Sequence, residues 1–321
     1  MNQPLDLDAM NEAAERVYAH MPATPQYTWP LLAERCGCEV WVKHENHTPV
    51  GAFKVRGGLN YMTRLKEEQP CITSVITATR GNHGQSIGFA ARATGMQATV
   101  LVPRGNEVEK NASMRSLGVN LVEHGDDFQE AAEYAATLAA SEGHHMIPAF
   151  HPWLVAGVAS YGLEFMRAVK DLDAIFVAVG MGSGICSLIR VRDALGLKTR
   201  IYGVVAENAP SYALSFREGR VVNTDTADTL ADGVACRSPN DGALEIILDG
   251  AADIFTVSDD EILAAMAHQY TDTHNVAEGA AATPLAALLQ RRADFVGQRV
   301  GLIQSGGNVD ASLLRRALEF A

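Results

Sequence analysis

The chain has 321 residues, of which 47% are hydrophobic and 20% are charged, a balance that is typical of a globular protein and excludes extensive disorder. The net charge of −12 comes without any block of Lys or Arg, which excludes an electrostatic nucleic-acid surface and a polybasic membrane patch. There is no signal-peptide pattern and no apolar run of membrane-spanning length, and the five cysteines are few and odd in number, so we expect a cytoplasmic protein with reduced thiols.

Short β-branched segments alternate along the chain with longer helical patterns. The segments that predict strands are 39–43, 74–78, 98–102, 120–123, 174–179, 200–206, 254–257 and 301–304. The segments that predict helices are 82–94, 127–141, 154–170, 184–195, 259–271, 280–291 and 311–318. The last six strands are nearly continuous apolar runs, which a parallel sheet covered on both faces requires. The sequence therefore predicts an α/β architecture with parallel sheets.

Two helix starts are marked by capping residues. Ser258 is followed three positions later by Glu261, which is the pattern of a capping box. Asp127 offers a similar cap before Phe128. We expect helices to begin at both places.

The segment from about residue 70 to residue 148 has the order strand, helix, strand, helix, strand. Such a unit can form a compact domain of its own. We therefore predict a small inserted domain over residues 69–148 and a large domain formed by residues 1–68 and 149–321.

The first candidate for chemistry is a lysine in the segment PVGAFKVRGG, residues 49–58. Lys54 follows a turn and lies beside the aromatic ring of Phe53. Burial near this ring and the proximity of Arg56 would lower the pKa of the lysine, which a Schiff-base lysine needs. On its neighbours alone, an ordinary surface lysine at a helix start is the favoured interpretation.

The second candidate is the segment TRGNHGQ, residues 79–85, between a predicted strand and a predicted helix. Backbone N–H groups at a helix N-terminus can hold an anion such as a substrate carboxylate. A capped turn would also explain Asn82, but Arg80 beside it suits an anion better.

The third candidate is the glycine-rich segment VGMGSG, residues 179–184, at the end of the most apolar strand. Its N–H groups can surround a phosphate. The segment lacks the residues of a Walker loop and the third glycine of a complete G-x-G-x-x-G pattern. Because Glu207 ends the next strand, where a ribose-binding acid would lie, a nicotinamide-dependent dehydrogenase is an alternative at this point.

The fourth candidate is the segment QSGGN, residues 304–308, after the last predicted strand. The hydroxyl of Ser305 could face a ring nitrogen, and the two glycines would let the backbone pass close to a ring. A simple turn before the last helix is the alternative.

Together, KHENHTPVGAFKVRGG, RGNHGQ, VGMGSGI and SGGN, in this order and spacing, resemble the fold-type II enzymes that depend on pyridoxal 5′-phosphate (PLP). The resemblance covers about residues 42–308 and is strongest to the threonine/serine dehydratase group, which includes serine racemase and 3-hydroxyaspartate dehydratases. It implies a fold like that of the tryptophan synthase β subunit, with two parallel-sheet α/β domains. The dehydrogenase alternative has no use for Lys54 or for residues 305–308.

The resemblance implies a role for each motif. Lys54 would carry the cofactor as a Schiff base, and Phe53 would pack beside its ring. Asn82 would bind the ring hydroxyl, and Ser305 would face the pyridine nitrogen. The residues that would hold the phosphate are Gly180, Met181, Gly182, Ser183 and Gly184. Those that would hold the substrate carboxylate are Thr79, Arg80, Gly81, Asn82 and His83.

The resemblance further implies α,β-elimination of water from a β-hydroxy-α-amino acid, giving a 2-oxo acid and ammonia. Arg80 stands where serine racemases have a serine base, and it stays protonated, so racemisation is disfavoured. A guanidinium there could instead pair with a second carboxylate, which favours a substrate such as 3-hydroxyaspartate. A racemase and a phenylserine-type dehydratase are the alternatives within this fold.

Three further features are expectations from the same resemblance. Some relatives bind a divalent cation such as Mg²⁺ or Mn²⁺ near the glutamate that matches Glu207, although their second acid is replaced here near Ala213. Glu278 falls where relatives keep an acid near the active site, and a surface role is the alternative. Relatives are commonly homodimers with small-molecule amino-acid substrates, so we expect the same here.

Overall fold

A computed structural model describes residues 5–320. Its strands are β1 Gln26–Thr28, β2 Glu39–His44, β3 Ser74–Ala78, β4 Gln97–Val102, β5 Asn120–Glu123, β6 His145–Met146, β7 Ala174–Ala178, β8 Arg200–Ala206, β9 Asp253–Val257 and β10 Arg299–Gln304. Its helices are α1 Leu7–Tyr18, α2 Pro30–Cys36, α3 Lys54–Glu68, α4 Asn82–Thr94, α5 Val108–Ser116, α6 Phe128–Glu142, α7 Pro152–Ala168, α8 Ser183–Ala194, α9 Ser211–Glu218, α10 Asp241–Gly250, α11 Asp259–Thr273, α12 Gly279–Gln290 and α13 Ala311–Phe320.

The larger sheet has six strands in the order β1-β2-β10-β7-β8-β9. Strand β1 pairs with β2 in the antiparallel sense, and the other neighbours are parallel. Alternate residues of β7 are buried on opposite faces, with Ile175 and Val177 in one apolar cluster and Phe176 in another. Burial on both faces explains why the strands are continuous apolar runs rather than alternating ones.

The smaller sheet has four parallel strands in the order β5-β4-β3-β6, all of them between residues 74 and 146. We call residues 74–146 the small-sheet unit. Its strands lie within the segment predicted as an inserted domain, while the boundaries at residues 69 and 148 stay a prediction. The two predicted parallel sheets of the α/β fold are both present.

The functional motifs follow strands of both sheets. Residues 79–83 follow β3, residues 179–182 follow β7, and residues 305–308 follow β10. An isolated bridge between Ala52 and Gly306 brings the start of α3 to the end of β10. Because ligands of open α/β sheets bind beyond the carboxyl ends of the strands, this arrangement explains why motifs far apart in sequence meet.

The predicted helix caps are present. The Ser258 hydroxyl accepts from the Glu261 backbone N–H at 3.2 Å, and the Glu261 carboxylate accepts from the Ser258 N–H at 2.7 Å. Asp127 accepts from the Glu130 N–H at 2.9 Å, and α6 begins directly after it.

Within residues 5–320, no helix combines the length and apolar character that a bilayer crossing needs. All five cysteines are free thiols. The predicted homodimer and cytoplasmic location stay predictions.

Candidate active site

A cavity of about 510 Å³ lies at the strand ends where the motifs meet. Most of the predicted site residues line it, namely Lys54, Thr79, Arg80, Gly81, Asn82, His83, Gly180, Met181 and Ser183. The other predicted residues do not line the cavity. Three of them are chain neighbours of lining residues, namely Phe53, Gly182 and Gly184. The carbonyl of Ser305 accepts from the Phe53 N–H, and Glu207 lies away from the cavity. The structure thus gathers three of the four motifs around one space and places the fourth behind it.

Lys54 is the first residue of α3, and its backbone is fixed on both sides. The N–H of Phe53 donates to the Ser305 carbonyl at 2.9 Å, and the Ser86 hydroxyl donates to the Lys54 carbonyl at 2.6 Å. The Lys54 amine lies 4.7 Å from the centre of the Phe53 ring. Among the described residues it has no hydrogen-bond or ion-pair partner, so it is free to react.

Burial lowers the pKa of the Lys54 amine, and the carboxylates of Glu278 and Asp232 oppose that shift. A lowered pKa keeps more of the amine unprotonated, as a lysine nucleophile or base requires. The predicted lowering of the Lys54 pKa by burial is therefore confirmed.

The expected effect of Arg56 on Lys54 was wrong. The Arg56 guanidinium is fully buried and bound by Glu45 at 2.7 Å and by Glu164 at 2.6 Å. The amine of Lys43 completes this group with a 2.5 Å contact to Glu164. We call Lys43, Glu45, Arg56 and Glu164 the paired cluster. The two positive and two negative charges of this cluster balance. The charge of Arg56 is therefore compensated within the cluster, and Arg56 is not among the groups that shift the pKa of Lys54.

The glycine-rich segment after β7 has the shape of an anion cradle. A Cβ atom at Gly180 would lie 2.2 Å from the Gly233 carbonyl oxygen, so no larger residue fits there. Gly182 has φ of +95°, a conformation that favours glycine. No side chain caps α8, whose first residue is Ser183, so its N-terminal N–H groups are available to a phosphate.

Ser305 and Gly306 contact the backbone just before Lys54. Ser305 is 5% exposed and follows directly after β10. Its carbonyl accepts from the N–H of Phe53, as described above. A serine hydroxyl at this place can donate to or accept from the nitrogen of a bound ring.

The segment from Thr79 to His83 joins β3 to α4, and no side chain caps that helix at Gly81. The Thr79 hydroxyl accepts from the Gly81 N–H at 3.0 Å, which fixes the turn. Arg80 lines the cavity with an exposed side chain, and no carboxylate within the described chain pairs with it. The open N–H groups and Arg80 together make this edge suitable for carboxylates.

Asn82 connects the substrate segment to two residues from the large sheet. Its side-chain amide donates to Glu278 Oε1 at 2.7 Å, and its oxygen accepts from the Asn308 amide at 2.8 Å. Glu278 is 3% exposed, so the surface role considered for it is wrong. The connection ties the small-sheet unit to the end of β10.

Glu278 is an acid with an unusual environment. Burial raises its pKa to about 7, Asp232 adds to the shift, and Lys110, Asn82 and Lys54 oppose it. Its Oε2 atom is buried without a hydrogen-bond partner among the described residues. Glu278 can therefore hold a proton close to Lys54 at neutral pH.

His83 is a second group with an unsatisfied buried atom. Its Nε2 has no partner within the described part of the chain. Burial lowers the pKa of His83 to about 3, and the nearby Lys54 adds to this shift. The ring is neutral at physiological pH and keeps one nitrogen available to a ligand.

Two charged residues of the cavity lining, Asp232 and Arg237, were not identified from the sequence. Asp232 lines the cavity and accepts a hydrogen bond from Lys110 at 2.5 Å. Arg237 also lines the cavity. They come from segments without a chemical motif, and only the fold brings them near Lys54.

The predicted cation site at Glu207 has no support. Glu207 is exposed at the end of β8 and does not line the cavity. The described residues contain no group of three or more His, Cys, Asp or Glu side chains arranged to hold a metal ion.

Comparisons with known proteins agree with this geometry. The family described as pyridoxal-phosphate dependent enzyme matches residues 17–306. An L-threonine ammonia-lyase from Thermotoga maritima is 33% identical over 289 residues, which are 90% of this chain and 72% of that protein. An L-threo-3-hydroxyaspartate ammonia-lyase from a Pseudomonas species is 34% identical over 309 residues, which are 95% of this chain and 97% of that protein.

The whole fold is also similar to a solved structure. The crystal structure of a pyridoxal 5′-phosphate-dependent aspartate racemase superimposes with a TM-score of 0.92 at 27% identity. The match covers 98% of this chain and 99% of that one.

Proposed function

The chain belongs to the family of pyridoxal-phosphate dependent enzymes, and we propose that it eliminates water from a β-hydroxy-α-amino acid with two carboxylates, such as 3-hydroxyaspartate. It has the predicted fold of the type II enzymes, and it is an ammonia-lyase of the threonine dehydratase type, like its relatives at 33% and 34% identity. Family membership decides against the nicotinamide-dependent dehydrogenase. The substrate and the residue roles below are the proposal.

The residues around the cavity fit the phosphate group and the pyridine ring of PLP. The cradle from Gly180 to Gly184 would hold the phosphate, and the hydroxyl of Ser305 would meet the pyridine nitrogen. Lys54 would carry the cofactor covalently, with Phe53 beside the ring. Asn82 would bind the ring hydroxyl. When bound, the cofactor supplies an electron sink for charge that develops at the substrate α-carbon.

The side chains around the cavity would carry out the proton transfers. The Lys54 amine would take the α-proton, since burial keeps its pKa low. The bond between Cβ and the hydroxyl oxygen then breaks, and the oxygen leaves as water after gaining a proton. Glu278, which can be protonated near neutral pH, would be the acid for that step. The released enamine hydrolyses to a 2-oxo acid and ammonia.

The substrate α-carboxylate would be held by the open N–H groups at the start of α4, with neutral His83 beside them. The observation that carries the dicarboxylate proposal is Arg80. Its guanidinium lines the cavity and has no carboxylate partner among residues 5–320. A second substrate carboxylate would supply that partner in bidentate form.

The test is a release assay for 2-oxo acid and ammonia over threonine, serine, phenylserine and the isomers of 3-hydroxyaspartate. We expect the highest kcat/KM for a 3-hydroxyaspartate isomer. The variant Arg80→Ala should raise KM for that substrate about tenfold or more and change KM for threonine much less. An equal effect on both substrates would contradict the proposal.

Racemisation is the second candidate, because the fold is that of an aspartate racemase as well. It needs a base on the face of the substrate opposite Lys54, and Arg80 stays protonated. Chiral chromatography of L-aspartate after incubation with the enzyme distinguishes the two activities. We expect D-aspartate to accumulate far more slowly than 2-oxo acid is released from 3-hydroxyaspartate.

A further inference from the structure

Arg237 is a second arginine that lines the cavity. Its side chain is exposed to the cavity side of the protein, and no carboxylate in the described chain lies within ion-pair distance of it. Arg237 comes from the segment between α9 and α10, whereas Arg80 comes from the small-sheet unit. The cavity therefore carries an available guanidinium on each of two separate segments.

The backbone that carries Arg237 is held in place. The Ser211 hydroxyl donates to the Cys236 carbonyl at 2.6 Å. The Thr224 N–H donates to the Arg237 carbonyl at 3.0 Å, and the Cys236 thiol donates to the Ser238 carbonyl at 3.2 Å. Three consecutive carbonyls are thus bound, so the guanidinium extends from a fixed point, as a binding group should.

The acidic residues that line the cavity have partners other than the two arginines. Asp232 is paired with Lys110 at 2.5 Å. Asp127, at another edge of the cavity, accepts from the Glu130 N–H and faces the positive end of the α6 dipole. Both acids of the cavity lining therefore have partners within the protein, whereas Arg80 and Arg237 have no carboxylate partner among the described residues. Two guanidinium groups without protein carboxylates favour a ligand that carries more than one negative charge.

We propose that Arg237 is a specificity-determining residue that binds the side-chain carboxylate of the substrate together with Arg80. This inference rests on the proposed function, because it assumes a dicarboxylic substrate. A carboxylate has enough acceptor positions for two guanidinium groups. The N–H groups at the start of α4 remain available for the α-carboxylate.

The experiment measures the binding of ligands that cannot undergo elimination of water. L-Aspartate has both carboxylates but no β-hydroxyl to eliminate, and L-alanine has only the α-carboxylate. Each is titrated into the PLP-loaded enzyme, and binding is followed by the change in cofactor absorbance and by calorimetry. The proteins are the wild type, Arg237→Gln, Arg237→Lys and Arg217→Gln, a matched control at an exposed arginine outside the cavity.

We expect Arg237→Gln to raise the Kd of L-aspartate about tenfold while the Kd of L-alanine changes less than about twofold. Arg237→Lys should lose less than Arg237→Gln, and Arg217→Gln should match the wild type. The effect on L-aspartate should shrink in high salt, because the attraction is screened. Equal loss for both ligands, in a variant that binds PLP normally, would overturn the role of Arg237.

The two proposals fail in different ways. If the wild type binds L-aspartate no better than L-alanine and does not convert 3-hydroxyaspartate, the dicarboxylate function is wrong. If the wild type prefers L-aspartate and Arg237→Gln keeps that preference, only the role of Arg237 is wrong.

Discussion

Two groups of charged residues lie on either side of the start of α3, and they differ in how their charges are satisfied. The paired cluster around Arg56 is buried, balanced and linked by short ion pairs. The second group, which we call the cavity groups, consists of Lys54, Arg80, His83 and Arg237, which line the cavity, and Glu278, which binds Asn82 beside it. It includes two buried atoms without partners and two arginines without carboxylates among the described residues. Lys54 and Arg56 are only two positions apart in the chain.

This difference indicates that the paired cluster has a structural role and the cavity groups have a chemical one. A buried charge with a complete set of partners fixes the backbone, because removing one partner leaves an uncompensated charge. A polar group that the folded chain leaves unsatisfied must be met by water or by a ligand. The paired cluster can therefore hold α3 in position while Lys54, at the helix start, stays free to react.

The largest effect is expected at Lys54. Lys54→Ala should lower kcat by at least about 10²–10⁴-fold, since it removes both the covalent anchor and the proposed base. The variant should stay folded, because the amine has no protein partner among residues 5–320. Activity is measured by 2-oxo acid release and folding by circular dichroism, with the exposed Lys198→Ala as control. Normal turnover by Lys54→Ala would remove Lys54 from the mechanism.

The next largest effect is expected at Arg56. Arg56→Met should lower the free energy of unfolding by about 3–5 kcal/mol, because Glu45 and Glu164 would lose their main partner in a buried site. Urea unfolding of the PLP-loaded protein measures this change. A loss below about 1 kcal/mol would mean that the carboxylates gain water or another partner, and the distinction between the two groups would not hold.

The sequence predicts the sheets and the strand-end loops well, for a physical reason. Strands buried on both faces must be apolar throughout, as Ile175, Phe176 and Val177 show, and parallel strands end at one edge. Helix α3 was not predicted. Gly57 and Gly58 lower its intrinsic helix propensity, and Gly58 is needed because a Cβ atom there would lie 2.3 Å from the Ser86 hydroxyl. Tertiary packing supplies the stability of this helix.

The site was predicted in part, where residues belong to local motifs. Lys54, the glycine-rich cradle and the segment from Thr79 to His83 are contiguous patterns. Glu278 was expected near the active site only through the family resemblance, because no local pattern shows its contact with Asn82, which is 196 positions away. Arg237 lies in a segment without regular structure, where no period or motif indicates which way a side chain faces. The neutralisation of Arg56 likewise depends on Glu164, which is 108 positions away.

A smaller effect is expected at Glu278, and it depends on pH. An acid with a raised pKa binds its proton more tightly in the folded state, so stability falls as the pH rises from about 4.5 to about 7. Glu278→Gln removes that loss. The wild type should therefore be destabilised relative to Glu278→Gln by roughly 3 kcal/mol more at pH 8 than at pH 4.5.

Urea unfolding of both proteins at several pH values measures this difference, with and without PLP so that cofactor binding is separated from folding. A difference between the two proteins that stays constant from pH 4.5 to pH 8 would show that Glu278 ionises normally in the folded state. It would then belong with the satisfied charges rather than with the cavity groups.

The smallest effect on the free energy of unfolding is expected for an exposed ion pair, which serves as a reference for the buried ion pairs of Arg56. Arg104 and Asp126 form an ion pair of 3.0 Å, but their side chains are 62% and 85% exposed. Water solvates both groups in the folded and the unfolded chain, so Arg104→Met should change the free energy of unfolding by less than about 0.5 kcal/mol. The same substitution at Arg56 removes the same charge from a buried site. If urea unfolding gave similar losses for the two variants, burial would not be what distinguishes the paired cluster, and its role in holding the start of α3 would need another cause.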